Sequence, residues 1–258
     1  MTFAGIERIY GAGAEHLCRA HVLVVGVGGV GSWTVEALAR SGIGALTLAD
    51  PDDICQSNIN RQVQALHNTI GQRKIDVLAE RVHQINPACC LNRYPYFVNE
   101  RTMAALLDEP YDYVVDAIDG VMPKAGLIAG CRQRGLPMVT CGGSGGKRRP
   151  EWVQMADLSE TCHDRLLAFV RKKLRHVFNF PADGPFGVPC VFSPEPVIVA
   201  AVDACAGEIA ADNPLRAEAG ARLTCDGRLG AVPFVTGTFG FYAAAHVVNA
   251  LTVNPSAV

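Results

Sequence analysis

The sequence contains no Cys-x-x-Cys pair, although ten of its 258 residues are cysteine. Structural zinc sites commonly take their thiolates from such pairs, so we expect no structural zinc. The first residues, MTFAGIERIYGAGAEHL, lack the apolar core of a signal peptide. We therefore expect reduced cysteines and a cytoplasmic location.

Excess charge of one sign is also absent. The chain has 23 Lys and Arg residues and 25 Asp and Glu residues, so its formal net charge is −2. The protein as a whole is thus not a polyanion binder, and any contact with nucleic acid must come from a local basic patch. Hydrophobic residues make up 49% of the chain, which is enough for a sizeable core.

Long apolar runs are scarce, and one segment alone tests the membrane question. Residues 229–253 are numerous enough to span a bilayer. The segment also contains Pro233, three glycines, His246 and Asn249, and it lacks a basic flank. This composition favours a core helix packed on a sheet, without membrane association.

Strand and helix patterns alternate through the first half of the chain. Apolar strand patterns occur at 22–25, 45–49, 113–118 and 136–141, with helical patterns between them. The alternation predicts an α/β fold with a Rossmann-like, doubly wound and mostly parallel sheet. A further strand pattern at 152–158 predicts an extension, antiparallel, in the second half. No linker divides the chain, so we expect one domain over 1–258, with a nucleotide-binding half at about 1–141 and a substrate-binding half at about 142–258.

A glycine-rich turn follows the first strand. Gly26, Gly28 and Gly31 form a G-x-G-x-x-G motif between that strand and the next helix. Glycine lets the backbone N–H groups approach phosphate oxygens, and the helix directs its positive end at the ligand. Asp50 ends the second strand, where a carboxylate can accept both ribose hydroxyls. These features suit NAD as well as ATP.

Further charged residues distinguish the two nucleotides. Asn58 and Arg61 follow the ribose acid, and Lys74 lies in the first turn of a predicted helix, where a cation opposes the helix dipole. Asp116 and Asp119 end the next strand. Several cations with a carboxylate for magnesium suit ATP. They disfavour a dehydrogenase, because extra cations would repel a nicotinamide ring.

The ordered motifs GxGGVGS, LxDxDD, SNxNRQ, GxxK and DAID resemble the adenylating domain of the ubiquitin-activating-enzyme superfamily. The resemblance extends from about Phe3 to Asn249. The stretches DAIDGVMPKAGLIAGC, VTCGGSGGKRRP, CVFSPEP and TGTFGF resemble the branch of tRNA threonylcarbamoyladenosine dehydratases. The resemblance implies ATP-dependent cyclisation of that modified base, beside the tRNA anticodon, through an acyl adenylate.

The resemblance also implies roles for single residues. Gly28 and Gly29 would lie against the phosphates, and Asp50 would bind the ribose, with Asp52 in the same acidic motif. Asn58, Arg61 and Lys74 would bind the phosphates, and Asp119 would hold Mg²⁺. Arg8 matches an N-terminal arginine that reaches ATP in the neighbouring subunit, which implies a homodimer.

Cys225 lies in the sequence LTCDG, and the superfamily places a nucleophilic or thiol-carrying cysteine in a comparable loop. Arg222 and Arg228 favour its thiolate, whereas Asp226 opposes it. The dehydratase reaction needs no covalent enzyme intermediate, so an ordinary thiol is an equal alternative.

Two basic stretches are candidates for tRNA contact. Residues 163–176 read as an amphipathic helix whose basic face includes Arg171, Lys172 and Arg175. A glycine loop is followed by Lys147, Arg148 and Arg149. Such patches bind phosphates without reading bases, although a solvated helix face gives the same pattern.

Two other functions stay open at this point. One is an adenylyltransferase that activates the C-terminal glycine of a ubiquitin-like sulfur-carrier protein, which uses the same ATP site. The other is a non-catalytic nucleotide sensor. The absent zinc cysteines and the basic helix count against the former, and the full phosphate and magnesium set counts against the latter. A sulfur-donor protein also stays open as a partner.

Overall fold

The computed structural model of the protein describes residues 3–198 and 229–252. Within these ranges, seven strands form one sheet and eight α-helices accompany it. The strands are β1 His21–Val25, β2 Ala45–Ala49, β3 Cys90–Tyr94, β4 Tyr113–Asp116, β5 Met138–Cys141, β6 Gln154–Asp157 and β7 Pro189–Phe192. The helices are α1 Ala4–Tyr10, α2 Gly13–Arg19, α3 Gly31–Arg40, α4 Lys74–Ile85, α5 Glu100–Leu107, α6 Val121–Arg134, α7 Arg165–Phe178 and α8 Pro233–Thr252.

The sheet has the strand order β3-β2-β1-β4-β5-β7-β6. Every neighbouring pair is parallel except β6 and β7, which are antiparallel. The predicted fold class, including the antiparallel extension, is confirmed. The order reverses between β1 and β4, and ligands of such sheets bind at that point, beyond the carboxyl ends of the strands.

Helices cover both faces of the sheet, because the central strands are apolar on both faces. In β1, Val22 and Val24 pack with α2, α3, α4 and α8, whereas Leu23 and Val25 pack with α5, α6 and α7. Strands from both predicted halves of the chain share this sheet. The carboxyl edge of the sheet is therefore one continuous surface.

The apolar C-terminal segment forms α8. Among the described residues it is the one helix long and apolar enough to cross a membrane, and half of its most apolar window is buried inside the fold. Its buried side chains, among them Phe239 and Val247, belong to the core cluster that includes α3. The buried side of α8 thus packs in the core, as the proline, glycines and polar residues of the segment predicted.

Candidate nucleotide-binding site

The four glycines of the turn between β1 and α3 divide into two pairs. A Cβ on Gly26 would lie 2.7 Å from the carbonyl oxygen of Ala117, and a Cβ on Gly31 would lie 1.8 Å from that of Gly26. Gly26 also has a φ of +85°. These two glycines are therefore required by packing, whatever binds to the turn.

At the other two glycines, an added Cβ would meet side-chain atoms only. A Cβ on Gly28 would meet only the side-chain nitrogen of Gln62, at 3.9 Å. A Cβ on Gly29 would lie 3.3 Å from Thr236 Cγ2 and 3.6 Å from Arg61 Cδ, without a backbone clash. The absence of side chains here leaves backbone that a phosphate can approach. The helix that follows begins without a side-chain cap, so its first N–H groups point toward the same place.

Asp50 connects the end of β2 to this turn. Its Oδ2 accepts a hydrogen bond from the backbone N–H of Val27 at 2.8 Å, and its Oδ1 accepts one from Asp52 at 2.9 Å. Burial raises the pKa of the Asp50 carboxyl, and Lys74 opposes that shift. A carboxylate offers about four lone-pair positions, so the group keeps acceptor capacity for ribose hydroxyls.

Lys74 is the first residue of α4, and its side chain is buried. Its Nζ lies 3.0 Å from Asp52 Oδ2 and 3.9 Å from Asp50 Oδ1. Two carboxylates thus compensate the cation that the helix dipole disfavours. The helix begins at Lys74, so the cation lies in its first turn as predicted.

Arg61 lies beside Gly29 and is held from several directions. Its Nη1 donates to the carbonyl of Ser57 and, at 3.0 Å, to Asn60 Oδ1. Its own carbonyl accepts a hydrogen bond from Trp33 Nε1 at 3.0 Å and from Thr236 Oγ1 at 3.4 Å. The Arg61 backbone is thereby anchored to α3 and to the start of α8, while hydrogen bonds within its own loop hold the guanidinium.

Asn58 is buried and shapes the loop that carries Arg61. Its Oδ1 accepts a hydrogen bond from the N–H of Cys55 at 3.1 Å, and its carbonyl accepts from the N–H groups of Arg61 and Gln62. In the described structure its side-chain oxygen thus organises the loop. A phosphate contact by Asn58 stays a prediction.

The two aspartates at the end of β4 and in the loop after it differ sharply in exposure. Asp116 is fully buried, with Oδ2 2.9 Å from Lys124 Nζ and 2.6 Å from Thr140 Oγ1. Asp119 is exposed, in a loop that abuts the glycine turn. Of these two aspartates, Asp119 is therefore the one whose carboxylate is accessible to a ligand.

A Mg²⁺ ion that accompanies ATP typically uses one or two carboxylates together with phosphate oxygens. The single exposed carboxylate of Asp119 fits that donor set. Within residues 3–198 and 229–252, no group of three His, Cys, Asp or Glu side chains could hold a metal ion by itself. Phosphate oxygens would have to complete the coordination.

The sequence analysis did not identify Gln64 and Lys124 as residues that shape the site. Gln64 is buried, and its Nε2 donates to the carbonyl of Val27, inside the glycine turn, at 2.9 Å. Its Oε1 is a buried oxygen without a hydrogen-bond partner among the described residues. No sequence signal separates this glutamine from a solvated loop residue. Lys124 reads as one polar residue in a helix of mixed pattern.

Arg8 is exposed on α1 and is not brought to the turn of its own chain. The neighbouring Tyr10 donates from its hydroxyl to Asn249 Oδ1 at 3.0 Å, near the end of α8, whereas Thr236 at the start of α8 lies beside Gly29. The two contacts are about 20 Å apart along the helix. A role of Arg8 at ATP therefore requires a second subunit.

The prediction of an RNA contact by Lys147 is wrong. Its side chain is buried, and its Nζ donates to the carbonyls of Ser193 at 2.9 Å, Glu195 at 2.8 Å and His163 at 3.4 Å. Burial also lowers its pKa. Lys147 thus connects two loops at the carboxyl edge and does not reach solvent.

The other basic candidates differ in exposure. Arg148, Arg149 and Lys172 are exposed. Arg171 is half-buried and donates to Thr161 Oγ1. Arg175 donates to the carbonyl of Pro181 at 3.3 Å, with its guanidinium over the Phe186 ring. Arg171 and Arg175 therefore make contacts within the fold.

Cys225, the candidate cysteine, lies outside the residues that the structure describes.

Comparison with known families agrees with this geometry. The model of the ThiF family matches residues 3–256. The chain belongs to the ThiF family.

Named relatives of this ThiF-family chain cover it to different extents. The tRNA threonylcarbamoyladenosine dehydratase of Escherichia coli K12 is 44% identical over 252 residues, which are 96% of this chain and 92% of that protein. The crystal structure of the E. coli tRNA N6-threonylcarbamoyladenosine dehydratase in complex with ATP has a TM-score of 0.83 at 41% identity, covering 96% of this chain and 93% of that one. The molybdopterin-synthase adenylyltransferase of E. coli K12 is 35% identical over 128 residues, or 50% of this chain and 51% of that protein.

Proposed function

We propose that this ThiF-family chain is an ATP-dependent tRNA threonylcarbamoyladenosine dehydratase, which converts the modified base beside the anticodon to its cyclic form. The observation that carries this function is similarity along almost the whole chain to a protein of that name, 44% identical over 252 residues. An ATP complex of such an enzyme has the same fold, with a TM-score of 0.83.

A sulfur-carrier adenylyltransferase is the alternative of the same superfamily. Its named relative matches only 50% of the chain. Since both functions use one ATP site, the glycine turn does not distinguish them. Full-length similarity does, because it includes the β6–β7 part of the sheet, which lies beyond the nucleotide-binding half.

The residues around the turn take the following roles in the proposal. The backbone at Gly28 and Gly29 meets the phosphates, and Asp50 accepts the ribose hydroxyls. Arg61 and Lys74 face the phosphate charge. The support is that an open turn, a buried carboxylate and two anchored cations meet at one edge of the sheet.

The chemistry follows from the need for a leaving group better than hydroxide. The threonine carboxylate of the modified base attacks the α-phosphorus of ATP, and pyrophosphate leaves. A nitrogen or oxygen of the same side chain then attacks the acyl carbon, and the lost oxygen departs in AMP. The second step is intramolecular, so proximity contributes several kcal/mol without a protein nucleophile.

The protein positions the reactants and balances charge in both steps. Lys74 and Arg61 stabilise the negative charge that develops on the phosphates. Asp119 would hold Mg²⁺, which supplies charge neutralisation at the phosphates when bound. Cys225 has no required part in this chemistry.

The acceptor and the assembly complete the proposal. The carboxyl edge continues from the turn to β7 and β6, and Arg148 and Arg149 lie exposed in the segment that precedes β6. The tRNA backbone would be bound there, with Lys172 as a further contact. Arg8 would reach the ATP site of a second copy in a homodimer. We place the enzyme in the cytoplasm, where its tRNA is, and a sulfur-donor protein stays open as a partner.

The deciding experiment measures AMP and pyrophosphate release from ATP with three acceptors: none, tRNA carrying threonylcarbamoyladenosine, and the same tRNA without that group. Mass spectrometry of the digested nucleosides accompanies it. We expect AMP only with the modified tRNA, together with loss of one water from the nucleoside. AMP release that depends on a small carrier protein and ignores tRNA would instead establish the alternative.

A further inference from the structure

The loop between β4 and α6 presents Asp119, and a pair of buried charges holds the residue before it. The N–H of Ile118 donates to Asp116 Oδ1 at 3.1 Å. The carbonyl of Ile118 accepts a hydrogen bond from Lys124 Nζ at 2.9 Å. This carbonyl and the amide nitrogen of Asp119 belong to the same planar peptide unit. Lys124 therefore fixes the orientation of the backbone from which the Asp119 side chain projects.

Stability alone accounts poorly for a lysine at this position. The Lys124 and Asp116 side chains are both 0% exposed and lie 2.9 Å apart. A buried ion pair contributes little net stability compared with well-packed apolar residues, because both charges lose their hydration. Lys124 also lies in the first turn of α6, where the helix dipole disfavours a cation. The bonds to Ile118 point to a role in geometry.

The opposite side of the loop is fixed to the glycine turn. The N–H of Ala117 donates to the carbonyl of Val25 at 2.8 Å. The Ala117 carbonyl lies where a Cβ on Gly26 would come within 2.7 Å of it. The loop is thus hydrogen-bonded to the last residue of β1 and lies close against Gly26. Its peptide orientation at Asp119 depends on Lys124.

We propose that Lys124, together with Asp116, is a positioning residue for Asp119: it orients the peptide unit before Asp119 so that the carboxylate meets the magnesium ion bound to ATP. This inference rests on the proposed function, in which Asp119 holds that ion. Lys124 itself touches neither nucleotide nor metal.

The test uses the double variant Asp116→Asn/Lys124→Met, since Lys124→Met alone leaves an unpaired buried carboxylate. The double variant removes both charges and keeps an acceptor for the Ile118 N–H. The matched control is Arg81→Met, which breaks the pair between Arg81 Nε and the buried Glu36 Oε2, 2.7 Å apart, on helices α3 and α4. Calorimetry of ATP binding across a magnesium series, without tRNA, gives the apparent magnesium affinity apart from turnover.

We expect the double variant to need about ten-fold more magnesium for half-maximal enhancement of ATP binding, a change typical of losing support for a metal ligand. ATP binding without magnesium should stay within about two-fold of wild type. Arg81→Met should lower the thermal midpoint and leave the magnesium requirement unchanged. A double variant that loses thermal stability but keeps the wild-type magnesium requirement would overturn the inference.

Asp119→Asn, measured in parallel, separates the two levels of the proposal. An unchanged magnesium requirement in Asp119→Asn refutes the role of Asp119 and the positioning inference with it. A raised requirement in Asp119→Asn, but not in the double variant, refutes the positioning role alone. The acceptor experiment under the proposed function judges the dehydratase activity independently of both.

Discussion

The ammonium nitrogen of Lys74 lies 3.0 Å from Oδ2 of Asp52, with the lysine side chain 8% exposed and the aspartate side chain 50% exposed. This asymmetry has a chemical consequence. When a phosphate oxygen replaces Asp52 as the partner of the ammonium, the freed carboxylate can return to water, and the buried cation is never left unpaired. Under the proposed function, the pair would hold Lys74 oriented for a phosphate before ATP binds.

Lys74→Met should lower kcat/KM for ATP by about 100-fold or more, because the variant loses a preorganised cation at the phosphates. AMP release with modified tRNA measures the rate, and circular dichroism checks the fold. Arg73→Met is the matched control, since Arg73 precedes it in the chain and is exposed. Equal activities of the two variants would remove Lys74 from the phosphate site.

Arg8→Ala should reduce turnover more than ATP binding if Arg8 acts on the ATP of a second subunit. The informative sample mixes Arg8→Ala chains with Lys74→Met chains. In a mixed dimer, the Arg8→Ala subunit keeps its own Lys74 and receives Arg8 from its partner, so about one site per mixed dimer should work. Activity no higher than that of the separate variants would exclude this arrangement.

Apolar sequence patterns predicted five of the seven strands, including the partly exposed β6, but they missed the exposed edge strand β3 and the buried strand β7. β1, β2 and β4 are continuous apolar runs, and they occur where predicted. β3, at the edge of the sheet, carries Asn92 and Arg93 and has no fully buried residue, so the sequence contains no periodic signal for it. It exists because β2 offers an unpaired edge, which is a tertiary effect.

The same distinction holds for the candidate site. The glycines and Asp50 act through local geometry after a strand, and spacing alone finds them. The spacing of the motif does not predict that Asp116 forms a buried ion pair with Lys124 while Asp119 stays exposed. That difference depends on how α6 packs on the sheet. The prediction of an RNA contact by Lys147 is wrong for a related reason. The three residues of the basic run look alike in the sequence, although the side chain of Lys147 points inward.

Arg148→Ala/Arg149→Ala should weaken binding of modified tRNA and reduce the slope of log affinity against log salt by about 1 to 2, as expected for the loss of phosphate contacts. ATP binding in the absence of tRNA should not change. Arg101→Ala, at an exposed arginine on α5, serves as control. A double variant with the wild-type salt slope would place the tRNA elsewhere.

Lys147→Met should behave differently from its neighbours in the sequence. Its Nζ donates to three carbonyls, and their loss leaves buried acceptors unsatisfied. We expect the free energy of unfolding to fall by about 1–3 kcal/mol, measured by urea denaturation. The salt slope of tRNA binding should remain that of wild type. A changed slope with unchanged stability would restore Lys147 as an RNA contact.

His246 should make the stability of the protein sensitive to mild acid. Burial lowers the pKa of this histidine below its ordinary value of 6.5, and its ring lies edge-on to Tyr113 within the fold. As the pH falls through 6.5, the histidine is therefore protonated in the unfolded chain before it is protonated in the folded chain. The free energy of unfolding falls with pH in that range, because the unfolded state binds more protons. His246→Gln removes this contribution, so the drop in thermal midpoint between about pH 7.5 and about pH 5.5 should be smaller in the variant.

His83→Gln, at an exposed histidine on α4, should retain the wild-type drop. Identical drops in both variants would show that His246 does not govern the acid response.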